Sequence, residues 1–519
     1  MPSKVFSAAI VNLDARIIEV EVASSRGLKS FNIVGLPDKA VEEAAERVDT
    51  AIATSGFLAP SRSRCRTLVN LAPADLKKEG ALYDLPIAAG FLLESKQIAF
   101  NPEDKMIVGE LALDGRLRPI KGIFPIAILA AQKKIKELII PAGNFAEADI
   151  AVNGKKSSQM KIIGVTDLKE AAEYLKGEKE IAVPITHKRS RSQEPAGILD
   201  FNLIKGQEYA KRALEIATAG GHHLFMIGPP GAGKTILAKA AISILPDPTW
   251  EEILEITKIH SIAGLLNPDN PLITSRPFRA PHHTASEAAL IGGGNPPRPG
   301  EITLAHRGIL FLDEFPEFHR DVLESLRQPL EEGEIMILRA KHALRLPARF
   351  CLIAASNPCP CGYKNDPQRQ CRCASSQIAK YQRKLSGPLI DRMDIFIEVP
   401  AINYEKLTSQ CQGESSCVIK RRVEEARKIQ RRRFRNLSKR NKITTNAEMG
   451  LAEIKKFCEL NSQSHELLKK YVDSGRLSAR GFHRVLKVAR TIADLDRSKD
   501  ILLSHLSEAL GYRIQNNYI

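Results

Sequence analysis

Short segments of alternating hydrophobic and polar residues mark the first 175 residues of the chain. Residues 18–22 have the period of two that is typical of a half-buried strand. Residues 39–54 instead place apolar side chains at helical spacing, directly after Asp38, a residue type that caps helices. Asp114 and Gly115 predict a hairpin turn. Further strands are predicted at 30–36, 65–71 and 137–141, and further helices at 85–93 and 124–133, which gives a mixed α/β unit.

The pattern changes twice after this unit. Residues 176–200 show no apolar periodicity and contain a basic cluster, so they predict an exposed linker and a domain boundary. Apolar strands alternate with helices between residues 201 and 400, as in a parallel sheet. Residues 401–519 have helical periodicity throughout. The sequence therefore predicts domains at 1–175, 201–400 and 401–519, joined by the linker at 176–200.

A glycine-rich segment follows the apolar run at residues 224–227, and a helix is predicted from about Lys234. It matches the G-x-x-x-x-G-K-[ST] phosphate loop, whose backbone N–H groups and helix N-terminus face phosphate oxygens. Lys234 is expected to reach the β- and γ-phosphates of ATP, and the Thr235 hydroxyl to bind Mg²⁺. The predicted nucleotide-binding residues are Gly228, Pro229, Pro230, Gly231, Ala232, Gly233, Lys234 and Thr235.

Two later strands also end in polar residues. Residues 308–312 predict a buried strand that runs into Asp313 and Glu314, about 80 residues after the phosphate loop. Asp313 suits the Mg²⁺ shell, and Glu314 suits polarisation of the attacking water. Another apolar strand ends at Asn357, whose amide has the chemistry to position the water or the γ-phosphate. The sequence thus predicts a hydrolytic site and not only a binding site.

Two families share motifs with this chain. Residues 35–43, 70–80 and 117–122 resemble the Lon-protease C-terminal domain, but Ala81 and Ile123 stand near the positions where a Ser–Lys pair would be needed, so proteolysis is not expected. Segments 278–286 (FRAPHHTAS), 299–308 (PGEITLAHRG), 313–318 (DEFPEF) and 357–362 (NPCPCG) resemble the magnesium-chelatase-like AAA+ ATPases of the YifB/ComM family.

This resemblance covers nearly the whole chain. It implies an α/β fold: an AAA+ P-loop ATPase core of magnesium-chelatase type, with an N-terminal Lon-protease-domain-like α/β domain and a C-terminal helical lid. It also implies a homo-oligomeric ring, a hexamer, with nucleotide at the subunit interfaces. Arg392 then corresponds to a trans arginine finger, against the alternative of a salt-bridge cluster with Asp391 and Asp394. Arg480 resembles the second sensor arginine, with Arg484 as the other candidate.

Charge points to a polyanionic partner. The chain carries a net charge of +16 with a pI near 9.4. Residues 420–442 contain twelve Lys or Arg and two Glu, a net charge of +10, so the basicity is local. The predicted helix has a thin apolar seam and is expected to contact DNA; a solvated helix face is the alternative. Residues 333–346 predict a hairpin with a basic tip at 339–342, of the kind that projects into the ring channel in this clade, or else a solvated turn.

Cysteine usage indicates a reducing compartment. The chain has nine cysteines, no signal-peptide pattern at its start and no apolar run near 20 residues, so we expect a cytoplasmic protein without disulfides. Four cysteines lie within fifteen residues, in C-x-C pairs that can supply four thiolates to a structural Zn²⁺ or remain unliganded. These are Cys359, Cys361, Cys371 and Cys373. His282 and His283 are assigned to packing or hydrogen bonding.

The function expected from these features is Mg-ATP hydrolysis coupled to DNA translocation. ComM-type relatives imply branch migration, as a helicase in recombination or natural transformation. The alternative is a remodelling chaperone resembling the chelatase motor subunit, which acts on a protein partner. We expect binding to single-stranded or branched DNA and no association with membranes.

Overall fold

The structure is a computed structural model. It describes residues 2–36, 38–63, 65–76, 78, 80–153, 160–181, 199–267, 270–294, 298–339, 342–364, 369–385, 387–401, 413–435, 437 and 443–514. Most of the predicted linker, residues 182–198, lies outside this part, as do 436 and 438–442 of the basic segment and 340–341 of the hairpin tip. The chain divides into two compact units: residues 1–190 with 250–273, and residues 191–249 with 274–519.

The first unit is built on a seven-stranded mixed sheet with the order β3-β4-β2-β1-β5-β8-β9. Strand β2 pairs antiparallel with both β1 and β4. Strands β1, β5, β8 and β9 form successive parallel pairs. Its strands are β1 Ser3–Val11, β2 Asp14–Arg26, β3 Ser30–Val34, β4 Cys65–Ala72, β5 Lys105–Ile107, β6 Glu110–Leu111, β7 Leu117–Arg118, β8 Glu137–Pro141 and β9 Lys161–Val165. Its helices are α1 Lys39–Glu42, α2 Ala44–Thr54, α3 Asp84–Glu94, α4 Ile123–Gln132, α5 Phe145–Asn153 and α6 Leu168–Lys176.

Local signals account for most of these elements. Asp38 accepts a hydrogen bond from the Val41 backbone N–H at 2.9 Å, as its helix-capping role predicts. The hairpin turn predicted at Asp114 and Gly115 forms between β6 and β7, while Lys105–Ile107 pairs with β1 and β8 in the main sheet. The unit also continues beyond residue 141, where the predicted elements stop, because α5, β9 and α6 add a further strand at the sheet edge.

The second unit contains a five-stranded parallel sheet with the order β11-β14-β17-β10-β18, and a smaller β15–β16 hairpin. Its strands are β10 Leu224–Ile227, β11 Phe278–Arg279, β12 Gly292–Gly293, β13 Arg298–Pro299, β14 Ile309–Leu312, β15 Glu334–Arg339, β16 His342–Pro347, β17 Cys351–Ser356 and β18 Ile395–Glu398. Its helices α7, α8 and α10–α15 span Glu208–Gly220, Lys234–Ala240, Glu287–Ile291, Glu301–Leu304, Arg320–Ser325, Arg327–Glu332, Ser375–Arg383 and Gly387–Ile390. The first of these helices ends at Gly220, just before the strand that leads into the phosphate loop.

The C-terminal part of the second unit is helical over its described residues. It comprises α16 Ser416–Phe434, α17 Leu451–Phe457, α18 Ser462–Asp473, α19 Ala479–Leu495 and α20 Leu503–Ile514. Leu224 and Met226 of β10 share one apolar core with residues of α16, α19 and α20, whereas Phe225 points to the other face of the sheet and a second core. Alternation along one strand therefore joins the C-terminal helices to the sheet that carries the phosphate loop.

Helix α9, Trp250–Ala263, belongs to the first unit, although the sequence places it within the predicted domain at 201–400. The Gly122 backbone N–H donates to the Ser261 carbonyl at 3.2 Å, and the Ser261 hydroxyl donates to Glu147 at 2.5 Å. Long-range contacts of this kind leave no periodic signal in the sequence. None of the helices in the described part of the chain is long and apolar enough to cross a membrane.

Candidate nucleotide-binding site

The strand order brings the predicted site residues together at one edge of the second sheet. Strand β17 lies between β10, which leads into the phosphate loop, and β14, which leads into Asp313 and Glu314. Because all three strands are parallel, their carboxyl ends meet on the same side. The Gly228 backbone N–H donates to the Ser356 carbonyl at 3.2 Å, which ties the phosphate loop to the strand that precedes Asn357.

Lys234 is held inside the phosphate loop by oxygen atoms. Its Nζ lies 2.6 Å from the Gly228 carbonyl, 2.9 Å from the Pro229 carbonyl and 3.1 Å from Asn357 Oδ1. Burial lowers the pKa of Lys234 to about 8, against the opposing effect of Asp313 and Glu314. The amine therefore stays mostly protonated at neutral pH, and a bound phosphate would stabilise that charge further.

Thr235 and Asp313 form the predicted magnesium pair. The Thr235 hydroxyl donates to Asp313 Oδ2 at 2.6 Å, and the Glu314 backbone N–H donates to Asp313 Oδ1 at 2.9 Å. A hydroxyl and a carboxylate at the start of a phosphate-loop helix are hard oxygen ligands, which Mg²⁺ prefers. These side chains fit Mg²⁺, and this ion would neutralise charge on ATP phosphates when bound.

Glu314 extends toward solvent from a strained backbone. Its φ is +50°, and its side chain is 54% exposed, so the carboxylate remains available to water. His283 Nδ1 lies 3.1 Å from Glu314 Oε2, and His282 Nδ1 lies 2.9 Å from the Thr284 hydroxyl. Both histidines thus have polar partners, as their assignment to packing or hydrogen bonding predicts. Sequence analysis did not link His283 to Glu314, since only the fold brings residues 31 positions apart into contact.

The two predicted arginines converge on one carboxylate that sequence analysis missed. Arg392 Nη2 lies 2.5 Å from Glu331 Oε2, and Arg480 Nη2 lies 3.7 Å from Glu331 Oε1. The side chain of Arg392 is largely buried, whereas that of Arg480 is 60% exposed. Arg392 pairs with neither Asp391 nor Asp394 in the described interactions, so the alternative cluster is wrong about its partners.

Asp394 instead belongs to a buried network with Arg484. Arg484 Nη1 lies 2.5 Å from Asp394 Oδ1, and the His223 backbone N–H donates to Asp394 Oδ2 at 3.0 Å. Burial opposes ionisation, but Arg484 and His222 outweigh it and hold the pKa of Asp394 well below its usual range. This pairing occupies Arg484, which leaves Arg480 as the more accessible of the two sensor candidates.

The four clustered cysteines come together in space. Their sulfur atoms all lie within 4.8 Å of one another. Cys359 Sγ lies 3.4 Å from Cys361 Sγ and 3.7 Å from Cys371 Sγ, and Cys361 and Cys371 are 3.5 Å apart. A tetrahedral Zn²⁺ with Zn–S bonds of about 2.3 Å requires sulfur–sulfur edges of about 3.8 Å. The described thiols, which include Cys373, are therefore close to the arrangement that zinc requires.

Helix α16 has two distinct faces. Val423, Ala426 and Phe434 of the predicted seam are buried in the apolar core, so the seam is confirmed. Many of its basic residues are bound within the chain: Arg422 pairs with Glu215 at 2.6 Å, and Arg433 reaches Asp494 at 2.8 Å. The exposed basic residues are Arg421, Lys428, Arg432 and Arg435.

These four residues follow one another at spacings of seven, four and three, which places them on a single helical face. None of them forms an ion pair with a carboxylate in the described part of the chain. We call this surface the cationic face. The β15–β16 hairpin also forms as predicted, with Glu334 opposite Pro347 and Arg339 opposite His342, while its tip lies outside the described residues.

Three family models match successive parts of this chain. The model described as Magnesium chelatase, subunit ChlI, matches residues 200–407; Subunit ChlI of Mg-chelatase matches 20–144; and Magnesium chelatase, subunit ChlI C-terminal, matches 413–513. Together they account for both units, and the first of them contains the phosphate loop, Asp313, Glu314 and the four cysteines.

Two curated relatives match over nearly their full length, and a third matches over about half of its length. Competence protein ComM from Haemophilus influenzae is 44% identical, with 98% of this chain and 97% of the relative covered. The uncharacterized protein YifB from Escherichia coli is 41% identical over 98% of this chain and 97% of its own length. The magnesium-chelatase 38 kDa subunit of Rhodobacter capsulatus is 27% identical over 31% of this chain and 51% of its own length. The chain belongs to the YifB/ComM family of magnesium-chelatase-like AAA+ proteins.

Proposed function

We propose that this protein is a ring-forming AAA+ ATPase that couples Mg-ATP hydrolysis to movement along DNA. Branch migration during recombination or natural transformation is the proposed task, since a relative of 44% identity is named a competence protein. The observation that carries the link to DNA is the cationic face, which lies in the same compact unit as the nucleotide site. Unpaired cations on one helix attract phosphate backbones without reading base sequence.

Hydrolysis requires a few side chains with separate tasks. Lys234 holds the phosphates, Thr235 and Asp313 would hold Mg²⁺, and Asn357 fixes the position of Lys234. Glu314 accepts the proton of the attacking water, for which its exposed carboxylate is suited. Magnesium supplies charge neutralisation on the phosphates, and positioning accounts for most of the remaining rate enhancement.

The subunit interface completes the site in this proposal. Arg392 reaches the nucleotide of a neighbouring subunit and Arg480 of the lid senses the γ-phosphate, while Glu331 holds both guanidinium groups until nucleotide is present. A ring of this kind, a hexamer, is the expected assembly. We place the protein in the cytoplasm.

Unwinding of a three-stranded DNA junction tests this function. Wild-type protein with Mg-ATP should release the third strand, and Lys234→Ala and Glu314→Gln should abolish release. ATP turnover that is indifferent to DNA, without strand release, would contradict the proposal and favour the remodelling chaperone that acts on a protein partner.

Charge reversal tests the cationic face. Arg421→Glu with Lys428→Glu and Arg432→Glu should weaken DNA binding by more than about tenfold and flatten its salt dependence. Lys469→Glu with Lys470→Glu is the matched control, because both lysines are exposed on α18 and lie off this face. Arg433 is unsuitable for this test because it is bound to Asp494, so its reversal would disrupt the core.

The first unit serves as a scaffold in this proposal and not as a protease. Ala81 begins a short turn and Ile123 begins α4, and neither offers a nucleophile or a base. Casein incubated with the protein and ATP should remain intact. Degradation that persists in highly purified protein would overturn this assignment.

The four-cysteine cluster carries a second proposal, a structural Zn²⁺ bound by Cys359, Cys361, Cys371 and Cys373. Three of their sulfur–sulfur distances, 3.4–3.7 Å, lie close to the edge of a ZnS₄ tetrahedron, and four ligands leave no open position for catalysis. Elemental analysis of protein kept under reductant should find one zinc per chain. Protein without stoichiometric zinc would show that the thiols are unliganded.

A further inference from the structure

The cysteine cluster is joined to the nucleotide site through two short routes. The first is along the chain: Cys359 follows Asn357 by two residues, and Asn357 contacts Lys234 at 3.1 Å. Strand β17 ends at Ser356, so residues 357–362 leave the sheet and enter the cluster directly. A displacement of Cys359 would therefore also move Asn357, which positions Lys234 of the phosphate loop.

The second route is a packing contact with the phosphate loop itself. Gly362 follows Cys361 and has a φ of +83°, and a Cβ built on it would lie 2.4 Å from Cδ of Pro230. Only a glycine backbone comes this close to the proline ring. Pro230 lies in the middle of the phosphate loop, so the C-x-C-G turn supports this loop from outside.

The turn that carries the first two cysteines is closed by a backbone hydrogen bond. The Gly362 backbone N–H donates to the Cys359 carbonyl at 2.9 Å, and the Cys359 and Cys361 sulfur atoms lie 3.4 Å apart. One short turn therefore holds two of the four thiols together and also carries the glycine that lies against Pro230.

We infer that Zn²⁺ at these cysteines supports the phosphate loop, so that metal occupancy controls ATP turnover at a site that the metal does not touch. This inference rests on both the proposed zinc site and the proposed ATPase activity. Loss of the metal frees the cysteine-bearing residues 358–364 and 369–373, and with them the supports on Pro230 and Asn357. The cysteines act as positioning residues and not as catalytic ones.

The test compares full-length protein with zinc present, removed by a chelator, and restored. Three quantities are measured: zinc per chain, kcat and KM for Mg-ATP, and hydrogen exchange of the phosphate-loop amides at 228–235. Removal should lower kcat by about tenfold or more and speed exchange in the loop. Adding Zn²⁺ back should reverse both changes, which a misfolded protein would not show.

Variants provide an independent arm. Cys371→Ser with Cys373→Ser should reproduce the effects of zinc removal, because it removes two of the four thiol ligands. Both residues lie outside the phosphate loop and its contacts, so the substitutions do not alter the loop directly. Cys417→Ser is the matched control, since this exposed cysteine lies on α16 away from the cluster, and it should keep full zinc and full turnover.

The outcomes separate the possible failures. Zinc loss that leaves kcat and loop exchange unchanged would overturn the coupling while preserving the zinc site. Wild-type protein that turns over ATP without any zinc would overturn both the site and the coupling. Zinc-loaded protein without ATPase activity would instead refute the proposed function, and faster loop exchange on zinc removal would still support the structural link.

Discussion

Glu147 of the first unit is half-buried and Asp394 of the second unit is buried, and the two carboxylates lie in opposite electrostatic surroundings. Glu147 of the first unit accepts hydrogen bonds from the Phe124 backbone N–H at 3.0 Å and the Ser261 hydroxyl at 2.5 Å, with no ion pair to a described cation. Burial raises the pKa of Glu147. Asp394 of the second unit is held by Arg484, and its pKa lies well below the usual range. The charge of these two acids therefore depends on their neighbours as well as on burial.

The carboxylates that join two structural elements differ from the carboxylate that is proposed to act on water. Glu147 attaches α9 to the first unit, and Asp394 links β18 to α19 through Arg484. Glu314 is different, because its side chain is half exposed at a strand end and contacts His283. A carboxylate that acts on water must keep access to solvent, whereas one that joins two elements is best buried with its partners.

The largest expected effect is at Glu314. Glu314→Gln should lower ATP turnover by about 10²- to 10⁴-fold and leave ATP affinity unchanged, because the amide cannot accept the proton of the attacking water. Steady-state ATPase rates and nucleotide titrations measure the two quantities. Glu317→Gln is the matched control and should stay within about twofold, since Glu317 is half exposed and pairs with Lys384. Equal losses in both variants would contradict the role of Glu314.

An effect on stability is expected at Asp394. Asp394→Asn should cost about 3–5 kcal/mol of local stability in the second unit, because it leaves Arg484, whose side chain is only 19% exposed, without its charge partner. Hydrogen exchange of amides in β18 and α19 measures this local free energy. Asp391→Asn is the control, as Asp391 is half exposed and its nearest cation, on Arg513, is 3.8 Å away. A change below about 1 kcal/mol in Asp394→Asn would show that the network contributes little.

The smallest expected effect is the pH dependence of local stability, and it tests the contrast between the two carboxylates most directly. The pKa of Glu147 is raised by folding, so its stabilising contribution is present at low pH and is lost as pH rises through the folded pKa. The α9 amides of Glu147→Gln should therefore become better protected from hydrogen exchange, relative to those of the wild type, as the pH rises from 4.5 to 7.5. Glu46→Gln, at an exposed site on α2, should show no such trend.

Asp394 should have the opposite sign. Its pKa is lowered by folding, so the contribution is present above the unfolded pKa of about 4 and is lost as pH falls through the folded value. In the wild type, exchange in β18 should accelerate only under acid conditions, and Asp394→Asn should lose that dependence. The same pH trend in both units would refute the contrast between the two carboxylates.

Local signals in the sequence were sufficient for the elements and for the central site. A phosphate loop depends on the order of adjacent residues, and Asp313, Glu314 and Asn357 each follow an apolar strand, so their positions could be predicted without knowing the fold. Parallel pairing of β10, β14 and β17 then brought them together. The convergence of Lys234, Thr235, Asp313 and Asn357 follows from strand periodicity and sheet geometry.

Residues that meet through long-range packing could not be predicted in this way. A run of arginines has the same appearance in sequence whether its members face solvent or a buried acid, and only the packing of α16 separates Arg433 from Arg432. Glu331 and His283 have no motif of their own that links them to Arg392 or Glu314.

The order of residues along the chain is enough to identify the phosphate loop, the acids that follow β14, the family and the four cysteines. Long-range packing is needed to know which cations remain exposed, that α9 belongs to the first unit, and that Gly362 lies against Pro230. The two groups of features differ in the range of the interactions that produce them. Backbone conformation and periodicity are set by neighbouring residues, whereas ion pairing, burial and the close approach of two loops depend on which surfaces the whole chain brings into contact.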